Sequence, residues 1–274
     1  MLNGLGLFAG IGGLELGLER SGLCTSVCFV EKDEYCQKVL AGRFPEVPIW
    51  DDVSTFDGRP WKGRIDIISG GFPCQDISVA GRGEGIEGSR SGLWAEFWRI
   101  IGEIRPIFAI IENVPMLTVR GGTRVIADLA SIGYNAEWCI ISAKEMGALH
   151  IRKRIFIIAY PKGQNDGRNI AEPGEGQIQQ PRIGPVKAAV ADTERREIRA
   201  GLRENEPAEK RRRRLGYSSR TKGIWTAEPN VGRVANGVSS RVDRLKCLGN
   251  AVVPQCGEYI GFLALEALRS FLSP

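Results

Sequence analysis

The stretch Ile65-Asp66-Ile67-Ile68-Ser69-Gly70-Gly71-Phe72-Pro73-Cys74-Gln75 decides the fold. A short β-branched run that ends in Gly-Gly and reaches Pro two residues later is too brief for a helix and reads as a buried strand leaving into a turn. The same grammar returns downstream, where Ile107-Phe108-Ala109-Ile110-Ile111 runs into Glu112-Asn113-Val114. Near-continuous apolar runs are the mark of strands covered on both faces, as in a parallel sheet. The carboxyl ends of such strands open onto a ligand crevice. Cys74 and Glu112 are therefore expected at one edge of one cleft, the placement that a thiol nucleophile and an acid partner need.

Upstream, Leu5-Gly6-Leu7 leads into Phe8-Ala9-Gly10-Ile11-Gly12-Gly13, a strand followed by a glycine turn and a helix. Leu14 and Leu18 give that helix its apolar face, and Ser21-Gly22 closes it. Thr25 to Val30 reads as a second strand with Glu31 at its end, and Asp51-Asp52-Val53 ends a short third one. Leu93 to Ile104 is the helix between the fourth and fifth strands. Tyr134 to Ser142 and Arg154 to Tyr160 follow closely enough to form an antiparallel pair at the sheet edge. Residues 4–160 thus alternate strands and helices as a doubly wound α/β domain does. From Lys162 to about Ser240 the chain turns Gly-, Pro-, Gln- and Arg-rich. Regular structure is expected again at Leu245, with a closing helix from Gln255 to Leu272.

At 274 residues the chain can bury one large domain and a small one. Neither a bilayer-spanning apolar run nor a leader is expected, because Met1 leads straight into the first strand. Seven scattered cysteines without a Cys-x-x-Cys pair point to reduced thiols in a cytosol-like compartment and against a zinc site. The single histidine, His150, removes a Ser-His-Asp triad from consideration. Between Arg195 and Lys222 stand eleven Lys/Arg and four Glu, a balance of +7 in a chain whose net charge is +5. A basic insert on a near-neutral body suits a polyanion partner.

The glycine turn has Glu15 where a dinucleotide fingerprint wants its third glycine, so NAD is disfavoured. Glu31, eighteen residues after Gly13, is placed to take both hydroxyls of a ribose. The turn therefore suits a nucleoside ligand whose identity the residues leave open.

Taken together and in this order, these segments resemble the C5-cytosine DNA methyltransferases, bacterial or phage type. The resemblance runs over most of the chain. It implies an α/β, Rossmann-like S-adenosylmethionine-dependent fold with a mixed seven-stranded sheet. Residues 1–160 and 245–274 would form the catalytic domain, and 161–244 a small basic target-recognition region. The implied cofactor is S-adenosylmethionine, with S-adenosylhomocysteine as product and no metal. Phe8 would flank the adenine, Gly10 to Gly13 line the methionine moiety, Glu31 hold the ribose and Asp52 meet the adenine amine. Ala9, Ile11, Gly12, Lys32, Val53, Pro73, Leu93 and Asn250 would complete that pocket, with Leu248-Gly249-Asn250-Ala251-Val252-Val253-Pro254 returning to the first strand.

Carbon 5 of cytosine is a weak nucleophile, and a thiolate added at C6 raises electron density there. By resemblance Cys74 is that nucleophile, and Glu112 contacts ring N3 and the exocyclic amine. A carboxyl that must donate a proton needs a raised pKa, which a desolvated pocket supplies. Alternation puts Arg152 and Arg154 on one strand face. The resemblance has Arg154 hold cytosine O2 and Arg152 orient Glu112, while His150 stands where the family has glutamine. A base inside a duplex must be flipped out to react. The glycine-rich stretch 76–90 suits a loop that closes over it. Gln75, Ser78 and Arg82, with Arg211, Arg212 and Arg213 of the insert, are the candidate DNA contacts.

Double-stranded DNA is the implied partner, a cognate restriction endonuclease a possible one, and a cytoplasmic monomer in a bacterial or phage-infected cell the default. RNA as substrate, or a catalytically silent DNA-binding protein of the same fold, are the readings that compete.

Overall fold

In the computed structural model, residues 1–73, 92–163 and 241–272 are described. Seven strands form one sheet: β1 (Leu2–Leu7), β2 (Cys24–Val30), β3 (Ile49–Trp50), β4 (Ile67–Gly70), β5 (Phe108–Asn113), β6 (Tyr134–Ser142) and β7 (Lys153–Pro161). Their order is β3-β2-β1-β4-β5-β7-β6. The first five run parallel, and β7 lies antiparallel between β5 and β6. The chain works outward from β1 to β3, then crosses back to place β4 on the other side of β1. That reversal makes the carboxyl ends of β1 and β4 a topological switch point, where such sheets bind ligands. Leu7 pairs with Gly70 there. A Cβ on Gly70 would run into the Leu7 carbonyl, so only glycine permits the approach.

Helices α1 (Gly13–Arg20), α2 (Glu34–Arg43), α3 (Gly92–Ile104), α4 (Gly122–Ser131), α5 (Arg241–Asn250) and α6 (Pro254–Leu272) cover the sheet. The continuous apolar runs of β4 and β5 divide between two cores. Ile68, Ala109 and Ile111 meet Trp94, Phe97 and Ile101 of α3. Ile67, Phe108 and Ile110 join a second core with Leu14 and Leu18 of α1 and Ile260 and Leu263 of α6. Glycines let α1 and α6 pack closely: a Cβ on Gly17 would collide with the Pro254 carbonyl, and one on Gly257 would sit 2.8 Å from Leu14 O. Asp33 caps α2, accepting from the amides of Tyr35 and Cys36 at 3.0 and 3.2 Å.

Most boundaries shift by a residue or two, β3 among them, which ends at Trp50 before Asp51-Asp52-Val53, and three further differences stand out. β4 starts at Ile67 rather than Ile65; just before it, Asp66 is tied to β1 through its amide on Asn3 O at 2.9 Å and its carboxylate on the Asn3 amide at 2.8 Å. β5 extends through Glu112 and Asn113, which pair with Phe156 and Ile155 of β7, so these polar residues end the strand instead of following it. Among the described residues, α5 is already helical at Arg241, four residues before Leu245. No helix among the described residues is long and apolar enough to cross a membrane.

Candidate functional site

The first turn after β1 holds three residues with left-handed backbone. Phe8 has φ 52°, Gly10 56° and Gly12 72°. At Phe8 this is a strained conformation for a residue with a side chain, held by stacking on Phe97 with ring centroids 6.2 Å apart. Glu31, at the end of β2, ties the turn down. One carboxylate oxygen accepts from Gly10 N at 2.7 Å and the other from Asp33 N at 2.8 Å. An ionised carboxylate has about four acceptor sites, so two stay available to ligand hydroxyls.

Beyond the short β3, Asp52 takes Lys32 Nζ at 2.9 Å and the amide and hydroxyl of Ser54 at 2.9 and 2.7 Å. Lys32 and Ser54 together hold the Asp52 carboxyl down to about 2. Val53 beside it is buried, and its carbonyl accepts from Arg99 at 3.0 Å. The closing wall comes from the far end of the chain. Val252 O sits where a Cβ on Gly13 would be, and Lys246 of α5 reaches Asp33 at 2.7 Å. These walls enclose a cavity of about 550 Å³, the size of an ordinary small-molecule site. Phe8, Ala9, Gly10, Gly13, Glu31, Lys32, Asp52, Val53, Pro73, Leu93 and Asn250 all line it. Ile11 and Gly12 do not. The Ile11 carbonyl instead receives Arg43 at 2.9 Å, and Gly12 turns towards Phe44 and Leu40 of the α2 region.

Glu112 stands on the same cavity. Its side chain is enclosed, with the residue 7% exposed, and burial lifts its carboxyl to about 7 despite Arg154 and Arg152 nearby. Arg154 Nε lies 2.7 Å from Glu112 Oε1. Glu112 pairs with Phe156 across the ladder, so Arg154 is its diagonal neighbour two residues away on the same face. The close approach is not aligned as a hydrogen bond, and Oε1 keeps an unfilled acceptor lobe. On the other side, a Cβ at Gly71 would lie 2.5 Å from Glu112 Oε2. Asn113 braces the segment before Cys74: its amide donates to Phe72 O at 3.2 Å, and its oxygen accepts from Val114 N at 2.8 Å.

Arg152, close enough to Glu112 to act on it by charge, donates from its NH2 group to Gly249 O at 2.7 Å, and its Nε is buried without a hydrogen-bond partner. It feels Glu112 through charge, and burial beside Arg154 lowers its pKa. Cys74, Gln75, Ser78, Arg82, Arg211, Arg212 and Arg213, with the 76–90 loop and most of the 161–244 region, lie outside the described residues.

Residues 2–232 match the profile of the C-5 cytosine-specific DNA methylase family. The chain belongs to this family. It is 38% identical over 159 residues to the Type II methyltransferase M.CviJI of Paramecium bursaria Chlorella virus IL3A, covering 58% of this chain and 43% of that protein. It is 39% identical over 161 residues to the Type II methyltransferase M2.BsuMI of Bacillus subtilis strain 168, covering 56% and 40%. The chain thus spans about half the length, or less, of these curated relatives. In fold it is similar to a putative DNA modification methyltransferase encoded within an E. coli prophage, with TM-score 0.60, 20% identity and 98% and 100% of the two chains covered. The Entamoeba histolytica methyltransferase EhMeth superposes with TM-score 0.61 at 16% identity, covering 100% and 99%.

In this family member the cavity also holds residues that the sequence reading did not single out. Asp33, Cys36 and Cys247 place their ligand atoms within 4.8 Å of one another, with the two sulfurs 2.9 Å apart. Asp33 is already committed to the α2 cap and to Lys246. Cys36 and Cys247 are 211 positions apart, and no local pattern could have joined them. Glu15 was visible only as the break in a glycine fingerprint. It proves to be a buried carboxyl on the cavity wall.

Proposed function

We propose that this chain is a DNA cytosine-C5 methyltransferase that takes its methyl group from S-adenosylmethionine. One observation carries the reading. A buried carboxyl held near neutral pKa, Glu112, shares one cavity with a glycine turn clamped by a strand-end glutamate. Few chemistries need a proton donor of that strength beside a nucleoside pocket. The donors present suit the cofactor: Glu31 for ribose hydroxyls, Phe8 and Asp52 for the adenine, the amides of the glycine turn for the methionine carboxylate. When bound it supplies an electrophilic methyl group.

The protein's part begins with Cys74, whose thiolate adds to C6 of a flipped-out cytosine. Glu112, protonated, donates to N3 as charge develops on the ring, and Arg154 holds O2. The same arginine limits how far burial can raise Glu112, keeping the proton available near neutral pH. Electron density at C5 then takes the methyl group. Loss of the C5 proton to water and return of the N3 proton to the Glu112 carboxylate restore the ring as the Cys74 thiolate is expelled. Arg152, tied to Gly249, joins this end of the cavity to the Asn250 wall that closes the cofactor end.

Residues 161–244 serve as the target-recognition region, with Arg211, Arg212 and Arg213 on phosphates. Gln75, Ser78 and Arg82 contact the opened duplex. The enzyme works as a cytoplasmic monomer, and the Type II names of its relatives support a cognate restriction endonuclease as its partner. The deciding experiment is methylation-aware sequencing of DNA from a methylation-free bacterial host expressing the chain, beside a Cys74→Ser control. A short motif carrying 5-methylcytosine with the wild type alone is expected. Unmodified DNA from folded protein, or labelling of RNA alone, overturns the reading. A covalent complex with DNA containing 5-fluorocytosine, lost in Cys74→Ser, is the matching chemical test.

A further inference from the structure

Glu15 is the outlier among the charged groups of the cavity. It sits in the first turn of α1 and is 3% exposed. Oε1 accepts from Ser69 Oγ at 3.0 Å, whereas Oε2 exposes less than 1 Å² and has no partner. The fold makes room for it: a Cβ on Gly6 would stand 3.0 Å from Oε1. The charged groups that act on it are both acidic, Glu19 of α1 and Glu31 just after β2, while Glu19 and Glu15 in turn help to raise the Cys24 thiol of β2.

The cations of the same wall are engaged elsewhere, Lys32 by Asp52, Lys246 by Asp33 and Arg154 by Glu112. Buried carboxyls are normally paired, and an unpaired one is costly to keep charged. Burial accordingly lifts Glu15 to about 7. A chain that places such a group on a ligand cavity, without a counter-ion among the described residues, has left the counter-ion to the ligand.

We propose that Glu15 is a positioning residue that makes the pocket prefer the sulfonium cation of S-adenosylmethionine to the uncharged sulfide of S-adenosylhomocysteine. The inference rests on the cofactor reading above. The two molecules share the adenosine, the ammonium and the carboxylate, and differ by one methyl group and one positive charge. Methyl transfer carries that charge off the sulfur, so an acid on the wall holds the cofactor and releases the product. Because Oε2 is shielded, Glu15 acts through charge across a low-dielectric wall, where such effects reach far further than in water. The sign with pH follows. A cationic ligand favours ionised Glu15, so the preference for the sulfonium grows as pH rises through the range in which Glu15 loses its proton.

The test is calorimetric binding of S-adenosylmethionine and S-adenosylhomocysteine to the wild-type chain, Glu15→Gln and Glu112→Gln between pH 5.5 and 7.5. It is repeated in buffers of different ionisation enthalpy to count protons. The shared amine cancels in the ratio of the two affinities. In the wild type that ratio is expected to fall about tenfold from pH 7.5 to 5.5, one pKa unit of differential interaction. A proton should leave on binding the sulfonium and not the sulfide. Glu15→Gln should show the low ratio at every pH and no proton release, whereas Glu112→Gln should keep the pH dependence. In turnover, Glu15→Gln should raise KM for the cofactor more than it lowers kcat.

Ser69→Ala removes the donor that favours the charged form, so its midpoint should move to higher pH. If Glu15→Gln does not fold, Ser69→Ala decides alone, and an unmoved midpoint overturns the proposal. Wild type that binds S-adenosylmethionine, with Glu15→Gln keeping both the ratio and its pH dependence, overturns this inference and leaves the cofactor reading standing. Wild type that binds neither molecule overturns both.

Discussion

Gly71 sets the position of Glu112 without touching the chemistry, and Gly71→Ala tests that directly. The new Cβ would lie 2.5 Å from Glu112 Oε2 and 3.4 Å from Glu112 O. An ordinary contact needs about 3.4 Å or more, so the carboxyl must move about 1 Å. Gly71 has no left-handed backbone, and alanine carries no conformational penalty there. The whole perturbation is therefore delivered to the Glu112 side chain. A displacement of about 1 Å at a reacting group can cost about 10²-fold in rate.

The displacement also has a pH signature. With its carboxyl near 7, Glu112 is protonated in about a quarter of molecules at pH 7.5; at an ordinary 4.5 the fraction is about one in a thousand. Loss of the desolvated position therefore costs up to about 200-fold at pH 7.5 and about 30-fold at pH 6. The assay is single-turnover methyl transfer across that range, with cofactor affinity measured separately by calorimetry. A near wild-type rate for Gly71→Ala, or a deficit equal at all pH values, refutes the argument that burial of Glu112 supplies the proton.

Three further outcomes follow from the same geometry. Glu31→Ala should weaken S-adenosylmethionine binding by about tenfold or more, since it removes both the ribose acceptor and the clamp on Gly10, while DNA affinity stays nearly unchanged; gel-shift and calorimetry separate the two. Gly17→Ala drives a methyl group into the Pro254 carbonyl at the α1–α6 contact and should cost about 1–3 kcal/mol, less a few tenths regained from helix propensity, seen as a drop of several degrees in Tm. Glu15 and Glu112 both hold their protons more tightly folded than unfolded. Their contribution to stability is therefore fully present below about pH 4.5 and is lost as pH rises towards 7, on the order of 3 kcal/mol each at most. Urea unfolding at pH 5 and 8 should show that fall, and Glu15→Gln should remove part of it.

What could be read from the sequence was what adjacent residues decide. Short apolar runs bounded by turn residues have few options, so β1, β4 and β5 were legible to within two residues. Glu31 and Glu112 were legible as cavity residues because each stands at a strand end at the switch point, whereas Asp52 and Leu93 were placed there by the family resemblance. What was not legible depends on where distant segments come to rest. The family resemblance has Arg152 orient Glu112, and no local signal announces that Gly249, 97 residues later, also offers it a carbonyl at 2.7 Å. Lys246 and Asp33, or Cys36 and Cys247, meet only because Gly13 lets the α5–α6 turn settle against α1.

The two buried carboxyls also show how one cavity separates two tasks. Glu15 and Glu112 reach nearly the same pKa, and burial is the largest cause for both. Their surroundings nevertheless differ in kind. Glu112 has Arg154 at 2.7 Å, an opposing charge that keeps its proton exchangeable, and a misaligned contact that leaves Oε1 open to a donor. Glu15 has hydrogen bonds from its own backbone and from the Ser69 hydroxyl, but its charged neighbours are two acids, so no cation of the protein rewards its ionisation. An acid that must hand over and recover a proton needs the first environment; an acid that must respond to the charge of a ligand needs the second. Replacing Ser69 by alanine should shift Glu15 upward and leave Glu112 where it is, while replacing Arg154 by leucine should do the reverse. Carboxyl titrations followed by 13C NMR in those two variants would separate the sites, and a joint shift of both carboxyls in either variant would mean that the cavity titrates as one unit.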